Sequence, residues 1–300
     1  MCKPIFTMIV GIAGSGKSTY AKKLSDEIGA IVFSSDELRK EMFDNVGDRE
    51  HNNEVFIELR KRIKECLKSG KNAIMDSTNL SSKRRRSFVQ ELNKVDCEKR
   101  CVIMATPYEQ CIENNKNRDK KVPEHEIEKM YRHWNTPAMF EKWDNIEVVY
   151  WEGSENSKNI GTWLFYHINT NQYNPHHSMT LGNHCIAVGK QIKNNDLLQI
   201  AGFLHDCGKP HVMKFANSKG DPTESAHYYS HENVGAYDAL FFDCQECNTL
   251  DVSVLVNLHM HPYHWERFDN EKLHNKYKRL WGETLYNYVM KLHEADKTAH

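Results

Sequence analysis

At 300 residues the chain exceeds what one hydrophobic core usually organises, so two domains of about 150 residues each are expected. Its 39% hydrophobic and 27% charged residues are those of a globular protein, and a net charge of −1 gives no bulk attraction for a polyanion. No apolar run approaches the ~18 residues of a membrane helix, and the start Met1-Cys2-Lys3-Pro4 lacks a signal-peptide layout. A cytoplasmic protein with no membrane contact is expected.

Short apolar runs at Ile5–Val10, Ala30–Phe33, Asn72–Met75, Arg100–Met104 and Ile146–Tyr150 read as strands. Helical patterns at 17–28, 51–68, 82–93, 107–117 and 124–142 alternate with them. The alternation predicts an α/β domain over 1–152, with a parallel sheet and right-handed crossovers. The polar stretch from Glu152 to Asn159 reads as a linker. Beyond it, helices near 161–168, 179–194, 196–206, 231–242, 249–260 and 282–299 predict an all-α domain over 160–300. Charge and histidine content separate the halves. Residues 1–150 carry 27 Lys+Arg against 24 Asp+Glu, and 151–300 carry 13 against 17. Only three of the 17 histidines precede residue 151. That crowding points to a metal site, because neutral imidazole is the commonest protein ligand for many divalent ions. Nine cysteines without a framework fit reduced thiols, and the lone CxxC at Cys244 and Cys247 reads as idle thiols rather than zinc ligands.

Within the first domain, Gly11-Ile-Ala-Gly14-Ser15-Gly16-Lys17-Ser18 fits GxxxxGK[ST] between a strand and a helix. Glycines let consecutive N–H groups turn toward phosphates, and the following helix adds its positive N-terminal end. Lys17 would reach the β- and γ-phosphates of ATP, and the Ser18 hydroxyl, beside Thr19, would hold Mg²⁺. Two further strings, Ser34-Ser35-Asp36-Glu37-Leu38-Arg39 and Asp76-Ser77-Thr78-Asn79, sit at carboxyl ends of strands, where open α/β sheets bind ligands. Asp36 could accept the proton of an attacking hydroxyl and Arg39 could hold an acceptor phosphate. A helix N-cap for Asp36 and a structural carboxylate for Asp76 remain open beside those roles. The run Lys83-Arg84-Arg85-Arg86 reads equally as a nucleic-acid backbone contact and as a solvated helix face.

The glycine-rich loop, SSDELRKEMF, DSTN and the segment from Asn114 through Arg118 to Val122-Pro123-Glu124 together resemble the polynucleotide 5′-kinase family over about residues 5–150. The resemblance implies that Asp36 is the general base, Arg39 the acceptor clamp and Arg118 a lid arginine on the ATP phosphates. A second lid arginine of that family would fall near Lys120 or Lys121, where lysine offers a point charge in place of a fork.

In the second domain, His205 and Asp206 are adjacent, and neighbours on a helix point about 100° apart. They meet one ion only across a helix end, which Gly208 and Pro210 permit, or else they serve two adjacent ions. His184, His231, His259 and Asp296 fall on four other helical stretches. The ordered strings TLGNHCIAVG, LHDCGKP, SHENVGA, NLHMHP and HEADKTA resemble the HD phosphohydrolase superfamily over about 160–300. The resemblance implies a primary metal site of His184, His205, Asp206 and Asp296. It implies a second metal on His231 and His259, and Lys209 as a steadying contact to the substrate phosphate. His227 competes with His231, and His261 with His259. His176, His177 and His264 are read as rim or surface residues. Mixed imidazole and carboxylate ligation suits Mn²⁺, Fe, Co or Ni better than Mg²⁺.

The two halves together imply a bifunctional nucleic-acid end-healing enzyme. It would phosphorylate 5′-OH ends with ATP and remove 3′-phosphate, 2′-phosphate or 2′,3′-cyclic phosphate, acting on RNA or DNA ends with a ligase downstream. RNA is favoured because its 2′-OH generates cyclic phosphates. Two alternatives stay open: a nucleoside or small-metabolite kinase fused to a nucleotide phosphohydrolase, and an ATP-switched binding or regulatory protein.

Overall fold

Strands β1 (Ile5–Val10), β2 (Ile31–Ser34), β3 (Ala73–Asp76), β4 (Glu98–Ala105) and β5 (Asn145–Tyr150) form one parallel sheet in the order β2-β3-β1-β4-β5. The computed structural model describes residues 3–44, 50–118, 120–175, 178–266 and 271–299. Central strand β1 is buried along nearly its whole length, and so reads as an unbroken apolar run rather than an alternating one. One sheet face packs Ile9, Ile74 and Val102 against Ala21 and Leu24 of helix α1 (Lys17–Ile28). Phe6 instead meets Phe88 edge to face, with ring centroids 5.3 Å apart. The intervening helices are α2 (Ser35–Phe43), α3 (Asn52–Lys68), α4 (Ser82–Leu92), α5 (Tyr108–Lys116) and α6 (Glu124–Arg132).

The remaining elements are mostly helical: α7 (Ile160–His167), α8 (Leu181–Gln191), α9 (Asp196–Leu204), α10 (Lys209–Val212), α11 (His231–Ala239), α12 (Thr249–Leu258), α13 (His261–Glu266), α14 (Glu271–Trp281) and α15 (Glu283–Thr298). An antiparallel hairpin, β6 (Lys214–Ala216) with β7 (Pro222–His227), interrupts them. Helix α11 is buried on nearly all sides, as a central helix must be.

The chain divides into two units. The first comprises Met1–Met130 and Pro137–Trp151, and the second Tyr131–Thr136 and Glu152–His300. The short strap Tyr131–Thr136 is locked into the helical unit. Trp134 is fully buried with its ring 4.8 Å from Tyr237, and Asn257 takes the Thr136 N–H at 3.2 Å. The helix expected over 124–142 therefore stops at Arg132, well short of Pro137, which cannot sit inside a helix. Helices α2, α10, α13 and α14 and the hairpin β6–β7 lie outside the expected elements. Helix α2 and the two hairpin strands are short and polar, so their periodicity is weak.

Candidate functional sites

The loop between β1 and α1 is shaped by Gly14 and Gly16, with φ of 84° and 85°. A Cβ on Gly14 would stand 2.1 Å from the Cys111 carbonyl oxygen, so only glycine fits that close approach. The loop carbonyls are tied down from behind: Asn114 Nδ2 donates to Gly14 O at 2.9 Å, and Thr106 Oγ1 to Ser15 O at 3.1 Å. Because a trans peptide sets its N–H opposite its C=O, the Gly16 N–H faces away from Thr106. Asn79, itself at φ 50°, donates to Ile9 O at 2.8 Å and braces the strand that feeds the loop. Lys17 Nζ folds back onto Ile12 O at 2.7 Å. Burial lowers Lys17 to about 8, with the nearby Asp76 carboxylate the chief opposing influence. The loop thus presents donors and a crowded cation with no anion among its own residues.

Gly14, Ser15, Gly16, Lys17, Ser18 and Thr19 line one cavity of about 550 Å³, together with Asn114, Arg118, Tyr150 and Trp151. Gly11 lies beneath it, its N–H donating to Thr78 O at 3.2 Å. Asp36 and Arg39 lie outside that lining on the first turns of α2, paired at 2.7 Å. The Arg39 side chain is buried, and Asn52 Oδ1 takes its other terminal nitrogen at 2.8 Å, whereas Asp36 stays exposed. Ser34, not Asp36, is the N-cap, its hydroxyl accepting from Glu37 N. Asp76 is buried at the end of β3, in register with Ser34. Lys120 and Lys121 are exposed. Arg85 resolves the basic run in an unexpected way: it is fully buried and forked onto Glu141 at 2.6 and 2.8 Å, so its charge is used within the fold.

In the helical unit, His184 from α8, His205 and Asp206 just past α9, His231 opening α11, His259 closing α12 and Asp296 on α15 converge, all buried. Gly208 permits it: a Cβ there would stand 2.1 Å from the His231 carbonyl oxygen. Each imidazole is oriented by a backbone carbonyl. Nδ1 of His205 donates to Gly202 O at 2.8 Å, of His231 to Tyr228 O at 2.8 Å, of His259 to Val256 O at 2.7 Å, and of His184 to Ala299 O at 3.2 Å. A carbonyl only accepts, so in the neutral rings Nδ1 carries the hydrogen and Nε2 keeps its lone pair. Those lone pairs face one another. His184 Nε2 is 3.2 Å from His205 Nε2, and His231 Nε2 is 3.2 Å from His259 Nε2. Around the first pair, Asp296 Oδ1 lies 3.0 Å from His184 Nε2 and Asp206 Oδ2 lies 3.3 Å from His205 Nε2. Beside the second, Asp206 Oδ1 lies 3.2 Å from His231 Nε2.

Four imidazole lone pairs and two carboxylates turned inward, with Lys209 Nζ on Asp206 Oδ2, fit a cation. Two atoms each about 2.1 Å from one ion, at tetrahedral or octahedral angles, lie about 3.0–3.4 Å apart, which is the spacing found here. The ligand atoms group as His184, His205 and Asp206, and as Asp206, His231 and His259. Asp206 belongs to both groups and turns one oxygen toward each. Without a cation the cluster can hold a proton. Burial opposes charge on His205, yet Asp206 and Asp296 outweigh it and hold that ring up to about 10. Burial drives His259 down to about 3, helped by His231 and His205. Burial also opposes charge on Asp206, but Lys209 and His205 keep its carboxyl well below the ordinary range.

Lys209 Nζ sits 2.6 Å from Asp206 Oδ2 and donates to Gln172 Oε1 at 2.8 Å. Tyr263 OH donates to Asp296 Oδ2 at 3.0 Å, leaving Oδ1 toward the histidines. Neither Gln172 nor Tyr263 carries a sequence signal, since their roles arise only when distant segments meet. His227 lies on β7 stacked on Tyr229, His261 packs among Trp265, Tyr277 and Trp281, and His264 is exposed. His176 and His177 lie outside the described residues. Cys244 and Cys247 are free thiols.

Comparison with known proteins gives two family matches, residues 6–137 to the AAA domain family and residues 176–300 to the HD domain family. The L-seryl-tRNA(Sec) kinase of Methanococcus maripaludis is 26% identical over 153 residues, covering 47% of this chain. The chain spans 57% of the length of that relative. Among solved structures, a chain of the Pnkp1/Rnl/Hen1 RNA repair complex is 20% identical over 44% of each chain, with a TM-score of 0.38. A sugar kinase from Janibacter sp. is 15% identical over 49% of this chain and 85% of its own, with a TM-score of 0.39. The chain therefore carries a kinase-like P-loop domain followed by an HD phosphohydrolase domain. Among the described residues no helix is long and apolar enough to cross a membrane.

Proposed function

We propose that the chain heals broken nucleic-acid ends: the P-loop domain phosphorylates a 5′-hydroxyl from ATP, and the HD domain removes a 3′-phosphate, 2′-phosphate or 2′,3′-cyclic phosphate. The observation that carries the reading is the pairing, in one chain, of a loop shaped for an anion with a cluster of inward-facing Nε2 and carboxylate acceptors shaped for cations. Both are phosphate chemistries, and a broken end presents both tasks.

On the kinase side, Lys17 leaves Ile12 O for the incoming phosphates, and the Gly16 N–H adds a fixed donor. Asp36, exposed and close to Arg39, accepts the proton of the attacking hydroxyl. Asn52 keeps the Arg39 guanidinium oriented toward the acceptor. On the HD side, divalent ions when bound supply an activated water and neutralise the phosphoester charge. His184, His205 and Asp296 would hold one ion and His231 and His259 the other, with Asp206 a candidate ligand in both groups. Lys209 orients the Asp206 carboxylate. RNA is the favoured substrate, and the relative from Methanococcus maripaludis supports an acceptor hydroxyl carried on RNA, as its name places a seryl-tRNA in that role.

The test is transfer of label from ATP to a 5′-OH oligonucleotide, seryl-tRNA and free nucleosides, alongside phosphate release from 3′-phosphorylated RNA. Asp36→Ala should lower transfer to the oligonucleotide by about 10²–10⁴-fold and spare release. Asp206→Ala should abolish release and spare transfer. Label moving only to nucleosides or only to seryl-tRNA overturns the 5′-end reading. Loss of transfer in a folded Asp206→Ala protein overturns the independence of the two activities.

A further inference from the structure

Apart from Phe165 and Tyr166 on α7, the large apolar side chains exposed on the described part of the helical unit are Tyr173, Met213, Phe215 and Tyr229. Two of them are chain neighbours of residues tied to the histidine–aspartate cluster. Tyr173 follows Gln172, whose Oε1 accepts from Lys209 Nζ, and Tyr229 comes two positions before His231. Lys209 Nζ also lies over the Tyr228 ring, 5.2 Å from its centroid, and the Tyr228 hydroxyl donates to Gln172 O. A chain of contacts thus runs from Asp206 through Lys209 to Gln172 and Tyr228, and Tyr173 follows Gln172 in the chain.

Tyr173 and Phe215 form a pair. Their rings meet edge to face with centroids 5.7 Å apart, and they are 54% and 46% exposed. The Tyr173 carbonyl takes Ala226 N at 2.8 Å and its N–H donates to Asn171 Oδ1 at 2.7 Å, so the ring is held on the edge of the hairpin. The backbone of Tyr173 has a φ of 48°, a left-handed conformation that is costly for a bulky residue and cheap for glycine or asparagine. A ring half in solvent gains little packing to offset that cost. Backbone held in a sparsely populated conformation under a half-exposed ring is a feature that clusters at ligand contacts.

We propose that Tyr173 and Phe215 are a stacking seat for the nucleobase of the nucleotide whose phosphoester is held at the His205–Asp206 cluster, an inference that rests on the phosphoesterase reading of that cluster. Flat π faces beside a phosphate site match a nucleotide, which joins a charged group to an aromatic ring through a sugar. The seat reads a ring face rather than a base edge, so it tolerates any base.

The experiment measures phosphate release by the full chain loaded with Mn²⁺ from four substrates: RNA ending in a normal 3′-phosphorylated nucleotide, the same strand with an abasic terminal residue, a free nucleoside 3′-monophosphate, and ribose 3-phosphate. The wild type should prefer base-bearing over abasic substrate by about tenfold or more in kcat/KM, mainly through KM. Tyr173→Ala with Phe215→Ala should erase that preference while leaving the abasic rate unchanged. Tyr173→Gly should also lower the preference while keeping or raising the thermal midpoint, which a structural role for the ring would not allow. Base preference on the free nucleotide alone, with no release from RNA, upholds the seat and overturns the end-healing function. Equal rates with and without a base, or a preference that survives the double substitution, overturn the seat. No release from any substrate overturns both.

Discussion

The phosphate loop and the histidine cluster face opposite shortages of charge and meet them with different parts of the chain. The loop needs hydrogen-bond donors, which every peptide unit carries, so the few consecutive residues from Gly11 to Ser18 suffice once glycines bend them. The cluster needs lone pairs directed at one place, and these come from side chains on five separate elements. An anion site can therefore be local, but this cation site exists only when the helices are locked together.

That contrast predicts where each region is fragile. The largest effect should come from the strap. Trp134→Ala empties a fully buried position against Tyr237 and should cost the helical unit about 3–5 kcal/mol. In a thermal melt this is a drop of roughly 10 °C in that unit's transition, and an unchanged transition would show that the cluster does not depend on the strap. Next, Gly14→Ala forces a Cβ toward the Cys111 carbonyl and should reduce kinase activity at least about a hundredfold, because misplacement by about 1 Å is enough to do so. Phosphate release by the same variant should be unaltered. Tyr263→Phe should weaken divalent-ion affinity about 10–100-fold by freeing the outer oxygen of Asp296, measured by metal titration of the chelated protein. The smallest effect concerns pH. Burial leaves Lys17 at about 8, so above that pH ATP must draw a proton in as it binds. Its affinity should fall by up to about tenfold per pH unit from 8 toward 10, and a flat titration to pH 10 would refute this.

Much of both sites could be read in the sequence, for reasons that follow from the same contrast. Gly14, Gly16 and Lys17 fall within four consecutive residues, so spacing alone carries their meaning. The order of His184, His205, Asp206, His231, His259 and Asp296 along successive elements was visible, and the structure brings these six together. What stayed hidden depends on distant partners. Arg85 looked like its solvated neighbours because its burial is set by Glu141, 56 positions away. Gln172 and Tyr263 are unremarkable residues until Lys209 and Asp296 come to them. The hairpin β6–β7 is too short and polar to show an alternating pattern against the surrounding helices.

The interleaved path of the backbone has a consequence for biosynthesis. Tyr131–Thr136 leaves the ribosome before any of the helices it will pack into, and β5 follows it, so the sheet's last strand is made only after a piece of the other unit. The first unit is still unfinished when the second begins. Translation must therefore hold an unpartnered Trp134 in the nascent chain until α11 and α12 have been added.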